Sequence, residues 1–408
     1  MKRKMRLLAG LFCLLVFFGA GSVKALAAEE VTVYVSVEKF VLGQGYVVTP
    51  TKRKAAAGSK VFDIVETLLK EENYTIGKHY DKNMGWYLEG IDGADNGKTQ
   101  VPQAVRNLSG YGYGTAYPSG ELPVTENEDY PGLYQINSYQ AEGSMSGWCY
   151  YVNNYFADVG MDKYTVKDQD VIRLQFTICD GDLALIGDID SGTKSLAMIK
   201  GYLGNKSLNT QVKSVYDKYV KSLSDMDQGK DAVLQLQKDL EATVKALQEA
   251  DKVCTKINAL GTVTLAQESA VSAARKACNA LNKEAKSYLS SAVLSRLTDA
   301  EKKITTLKEA KKYTPAKVKI SKISSTKKKV KLTWKKISSA SGYEIQMSTK
   351  KASGFKKIAT IKKAKTVTYT KKKLPSKKVR YFRIRAYRKV GKKTYKGPFS
   401  TTKKIKVK

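Results

Sequence analysis

Three tryptophans and a cluster of tyrosines are the residues best equipped to hold a ligand. Trp148, Tyr150, Tyr151 and Asn153 fall within six positions, a set able to stack on a flat or sugar-like molecule and hydrogen-bond its rim. The same residues equally suit a core strand ending in a turn. Trp86 joins them as a candidate, and Tyr111 and Tyr113 open a stretch to Tyr139 in which six tyrosines alternate with Gly, Pro, Ser and Glu. Such a loop is either an adaptable contact surface or a segment pinned down by its own side chains. Asp180, Asp182, Asp188 and Asp190 offer clustered oxygens, but their order departs from the Asp-x-Asp-x-Asp-Gly calcium loop with its closing Glu, so a solvated linker is expected and no metal site. Asp63, Glu66, Glu71 and Glu72 sit at helical spacing toward water and form no acid–base pair.

Histidine and cysteine narrow the chemistry further. His79 is the single histidine, which leaves no His-based triad or metal site to build. Beyond Cys13 there remain Cys149, Cys179, Cys254 and Cys278, none at Cys-x-x-Cys spacing. Cys149 and Cys179 lie in two strand-like runs and are the candidate disulfide, whereas Cys254 and Cys278 fall on apolar helix faces and read as core. No nucleophile and base constellation emerges, and the chain is expected to be non-enzymatic.

The elements that must carry these residues follow from hydropathy period. Residues 1–28 hold a basic start (Lys2, Arg3, Lys4, Arg6), an apolar run from Leu7 to Phe18, and Ala25-Leu26-Ala27, the pattern of a secretory signal. The run is too short to span a bilayer. Residues 29–190 read as α+β: Val31–Val37 and Val171–Thr177 alternate as half-buried strands, Tyr46–Pro50 and Trp86–Ile91 are shorter ones, and Val61–Glu72 forms a helix that Ser59 caps. Residues 191–313 turn to helical period, with Gly261 closing one helix and Asn282 capping another, an all-α bundle. After Pro315 only short alternating runs recur, the mark of an all-β antiparallel sandwich over 314–408. The fold class is therefore multidomain.

Charge is concentrated at one end. Residues 311–408 hold 35 of the 72 Lys and Arg and one of the 38 acids, Glu344, whereas 29–310 carry 32 basic and 37 acidic residues. A domain near +34 attracts polyanions with strong salt dependence. Nucleic acid is expected to bind only through phosphate, without base reading. No sorting motif or apolar tail is read at the C-terminus, so a secreted chain is expected to be retained at the surface by an anionic cell-wall polymer on residues 314–408.

Three family resemblances fit this division. Gly58–Val65, Trp86–Gly93, Gly147–Asn153 and Gly160–Asp170, in that order, resemble the transcobalamin C-terminal-like domain, a family whose role in secreted bacterial proteins is unknown. The resemblance implies a β-grasp-like α+β fold and, from the cobalamin carriers, a corrinoid ligand. The helical barrel that completes the carriers has no counterpart here, and Asn154 replaces the commoner Gly. Ile257–Leu265 and Ala273–Leu281 are similar to stalk modules of Gram-positive surface proteins. Trp334, Gly342–Ile345, Leu374-Pro375 and Tyr381 resemble fibronectin type III modules, with Tyr381 in the tyrosine-corner position. Together they imply a secreted surface protein whose N-terminal domain contacts a small-molecule or protein ligand.

Overall fold

The computed structural model describes residues 29–83, 85–94, 100–107, 124–126, 134–136, 147–177 and 189–408. The chain forms two compact units: one runs to Leu203 and adds Lys213–Val244, and the other joins Gly204–Val212 to Lys245–Lys408. The 28 residues of the expected signal, together with Tyr111, Tyr113 and Cys179, lie outside the described residues.

The first unit is built on a mixed sheet. β1 (Glu30–Lys39) turns through the buried Phe40–Leu42 into β2 (Gly45–Ala56), and the turn closes at Gly43, whose φ of +66° and contact with the Gln100 carbonyl leave no room for a side chain. α1 (Val61–Glu71) follows, then the ladder β3 (Thr75–Asp81) with β4 (Gly85–Asp92), α2 (Gln103–Arg106), and the short pair β5 (Val124–Glu126) with β6 (Tyr134–Ile136). β7 (Gly147–Val152), β8 (Tyr155–Phe156) and β9 (Val171–Thr177) complete the main sheet in the order β2-β1-β9-β7-β8. Its one parallel pair is β1 with β9.

α1 exists because Val61, Ile64, Val65, Leu68 and Leu69 form one apolar stripe, and all five are buried with Phe62 against Val33, Val35, Val37, Ile172 and Leu174. Each such side chain contributes on the order of 2 kcal/mol. Lys60, not Ser59, occupies the cap and makes no side-chain bond there; the Ser59 carbonyl instead accepts from Val166 N–H.

The opposite face of the sheet is polar and nevertheless buried. Ser36, Glu38, Arg173 and Gln175 are each at most 1 % exposed, where period-two alternation predicts a solvated side. α3 (Asp190–Lys200) covers it, with Ala197 against Tyr34 and Val171. Lys200 donates to Thr49 and Thr51 of β2 at 2.9 and 2.6 Å. α4 (Gln211–Leu223) belongs to the same unit from Lys213 on, and Gly192 of α3 lies against Leu223 and Leu240. The unit boundary therefore departs from the composition change at 190/191, because the first helices are needed to cover the sheet.

The second unit holds the end of α5 (Lys230–Asn258), α6 (Glu268–Ala280), α7 (Lys283–Tyr288) and α8 (Ser291–Tyr313). Gly261 beyond α5 adopts φ +55°, and Asn282 caps α7 by accepting from Ala285 N–H at 2.7 Å. Cys254 and Cys278 are buried in this helical core as free thiols, and burial pushes Cys254 up to about 11. An antiparallel sandwich follows. One sheet joins β10 (Ile320–Thr326), β11 (Lys329–Trp334) and β14 (Thr368–Lys371). The other joins β13 (Lys356–Ile361), β12 (Gly342–Ser348), β15 (Val379–Val390) and β16 (Lys393–Lys396), with β17 (Lys403–Lys406) also on β15. Trp334, Tyr343, Phe382 and Ile384 fill the space between them. Tyr381 makes no hydroxyl bond of the tyrosine-corner kind among the described residues. The buried tyrosine that ties strand to loop is Tyr343, which accepts from Ile337 N–H at 3.0 Å.

Candidate functional site

The predicted aromatic cluster does not converge on one surface. Side chains alternate along β7, so Trp148, Tyr150 and Val152 face α1 while Cys149 and Tyr151 face the other way. Trp148 meets the edge of Phe176 at 5.5 Å and packs on the core. Tyr150 is buried, its hydroxyl donating to the Val159 carbonyl at 2.6 Å, and burial raises its pKa. Tyr151 is buried with its ring against Phe156. These three serve packing.

Asn153 is structural as well. Its Nδ2 donates to Asp170 at 2.7 Å and its Oδ1 accepts from Val171 N–H at 2.9 Å, tying the β7–β8 turn to the start of β9. Asn153 and Asn154 both take positive φ, +51° and +68°, the two left-handed positions of a type I′ hairpin, which Asn tolerates better than other side chains. Cys149 stands opposite Gln175 on β9, two residues from the end of the described strand, and its predicted partner Cys179 lies beyond.

Trp86 is half-buried within a cluster of its own. It stacks on Phe62 at 5.6 Å, lies 5.2 Å from Tyr80, and carries the Lys78 ammonium 5.0 Å above it. Its strand is held by Asp162, which accepts from Trp86 N–H and lies where a Cβ on Gly85 would be. Tyr80 was not among the predicted residues, although its period-two spacing from Lys78 on β3 is readable. At the sheet edge Tyr155 and Phe156 are 79 % and 55 % exposed, a second aromatic surface that was not among the predicted residues.

Beneath α3 lies a charged network. Arg173 holds Glu38 through Nε and Nη2 at 3.1 and 2.7 Å, Gln175 donates to the same carboxylate at 2.8 Å, and Ser36 adds its hydroxyl. Burial alone lowers the Arg173 pKa, but Glu38 outweighs it and the group is held above its ordinary value. Removing either partner would strand a buried charge at a cost of about 3–5 kcal/mol. Asp190 faces this network with its carboxylate 3.8 Å from Arg173 and neither oxygen hydrogen-bonded. Burial, reinforced by Glu38 and opposed by Arg173, raises it to about 7. With Asn153, Asn154, Val171, Ser191 and Gln237 it lines a cleft of about 330 Å³. Of the four aspartates predicted as a linker, only Asp190 is described, and it opens α3 instead.

The second charged region is the sandwich. Glu344 is ion-paired to Arg385 at 2.8 Å. Burial raises Glu344, but hydrogen bonds from Arg385 and Gln346 prevail and hold it below the usual carboxylate range. Lys322, Lys329 and Lys331 are exposed on one sheet, and Lys356, Lys357, Lys403, Lys404 and Lys406 on the other. Among the described residues no group of three or more His, Cys, Asp or Glu could hold a metal ion, and no helix is long and apolar enough to cross a membrane.

A family model described as a domain of unknown function (DUF4430) matches residues 126–177. That stretch contains β7, β8, β9 and the Gly147–Asn153 and Gly160–Asp170 motifs, while Gly58–Val65 and Trp86–Gly93 fall before it. The description carries no activity to transfer. No curated protein matches the chain. Among solved structures, a β-1,2-glucanase from Parabacteroides distasonis is 14 % identical, over 23 % of this chain and 12 % of that one, with a TM-score of 0.20. A structure described as FN3tt mut is 22 % identical, over 22 % of this chain and 94 % of that one, with a TM-score of 0.18. At such scores neither likeness bears on function.

Proposed function

We propose that the chain is a secreted, non-enzymatic surface protein, held to an anionic cell-wall polymer by its basic, fibronectin type III-like sandwich while the N-terminal domain contacts a partner. One observation carries the reading: the sandwich has a single acid, Glu344, and Arg385 already occupies it, so, apart from Lys393 on Glu309, the exposed lysines of its two sheets have no ion-paired carboxylate among the described residues. Their potential is satisfied from outside. Extracting intact cells with high salt, without enzymes, should release the whole protein, and deleting 314–408 should send it to the medium. Retention of the deleted form on cells would defeat the electrostatic anchor.

For the N-terminal domain the favoured partner is a macromolecule. Trp148, Tyr150 and Tyr151 are committed to packing, whereas Tyr155 and Phe156 stand exposed at the sheet edge, a surface suited to adhesion more than to enclosing a small molecule. The corrinoid implied by the transcobalamin-like resemblance is the competing reading. A saturable visible-absorbance change on titrating cobalamin with the mature chain would establish it in place of adhesion.

A further inference from the structure

The outer face of the sheet holding β12 and β15 carries a connected set of side chains that surplus charge alone does not require. Glu344 and Gln346 point outward from β12, and Arg385 and Arg383 of β15 stand opposite them in register. Arg385 grips Glu344 through Nε and Nη2 at 2.8–3.2 Å. Gln346 donates to the same carboxylate at 2.7 Å, which turns its carbonyl oxygen toward Arg383, and that oxygen accepts from Nε and Nη2 at 2.9 and 2.7 Å. The Arg383 guanidinium lies between two rings, Phe355 at 4.2 Å and Phe399 at 4.1 Å, and Phe399 also meets Arg385 at 4.4 Å.

Two properties follow for Arg383. Its guanidinium is held by two rings and an acceptor on one edge, so little side-chain entropy is left to lose on binding. Its charge is also uncompensated, because its acceptor is a neutral amide and the one nearby acid belongs to Arg385. Its Nη1 has no partner among the described residues. Lys357 stands in line across β13, opposite Gln346, and Lys404 of β17 stands opposite Tyr381 on the same face, both exposed.

We propose that this face is where the sandwich docks an extended anionic polymer, with Arg383 taking a two-oxygen edge of a phosphate or carboxylate group between Lys357 and Lys404. The proposal rests on the polyanion reading above and adds that binding centres on one preformed fork, which a lysine cannot reproduce.

The mature chain, residues 29–408, is titrated with polyphosphate and with polyglutamate at fixed salt. Arg383→Lys keeps the charge and removes the fork, and is expected to weaken binding about five- to tenfold. Lys331→Gln, on the outer face of the other sheet, removes a whole charge and is expected to cost less than about twofold. A loss with both polymers assigns oxyanion edges in general, and a loss with polyphosphate alone assigns phosphate; either supports the site. Unchanged affinity in Arg383→Lys overturns it while leaving the wall-polymer reading standing, and no binding by the unaltered chain overturns that reading itself. Should thermal unfolding show Arg383→Lys to be misfolded, Glu344→Gln decides: removing the acid beside the fork should tighten binding about two- to fivefold, and no tightening counts against the site.

Discussion

Asp190 shows how one side chain reports the packing around it. Nothing in its sequence neighbourhood sets it apart from Asp180, Asp182 and Asp188, yet burial under the first turn of α3 raises it to about 7. A carboxyl whose folded pKa lies above its unfolded value opposes folding once ionised. Stability is unaffected below about pH 4, falls through the interval up to about 7, and stays lowered above it. Asp190→Asn should therefore match the unaltered chain in unfolding free energy from urea titration at pH 4 and exceed it at pH 8, by on the order of 4 kcal/mol. Equal free energies at both pH values would mean that the carboxylate is solvated. Asn153 teaches the converse: a polar residue beside three aromatics invites a ligand role, but both of its amide atoms are spent on Asp170 and Val171.

At the scale of elements, α3 is where period and packing part company. The strands β1 and β9 read as half-buried, and their apolar side indeed packs on α1. Their polar side is buried too, because Ser36, Arg173 and Gln175 all donate to the Glu38 carboxylate and α3 covers them. Burial of a mutually paired polar face leaves no hydropathy signal. A fragment 29–190, cut at the composition boundary, exposes that face and should be poorly soluble or unfold without a cooperative transition. A fragment 29–244 should unfold cooperatively in urea, and equal behaviour of the two would show α3 to be dispensable.

At the scale of the whole molecule, charge is divided along the chain: residues 29–310 are mildly acidic and 311–408 carry nearly the whole surplus. Binding of residues 29–408 to polyphosphate should fall at least about tenfold between 50 and 200 mM salt, and residues 29–313 should show no such binding. A flat salt response would require contacts other than charge. The sequence alone determined what is local or additive: the placement of charge, the apolar stripe of α1, the Asn282 cap and the alternation of β11, β12 and β15. Those follow from composition and from periods of two and 3.6, which every short window of the chain repeats. Only the tertiary structure decided which polar groups meet. That Trp148 and Tyr151 face opposite ways, that Glu38 pairs with Arg173 across 135 positions, and that Arg383 lies between Phe355 and Phe399 depend on strand register and sheet order, since partners distant in sequence become neighbours only when the sheets assemble.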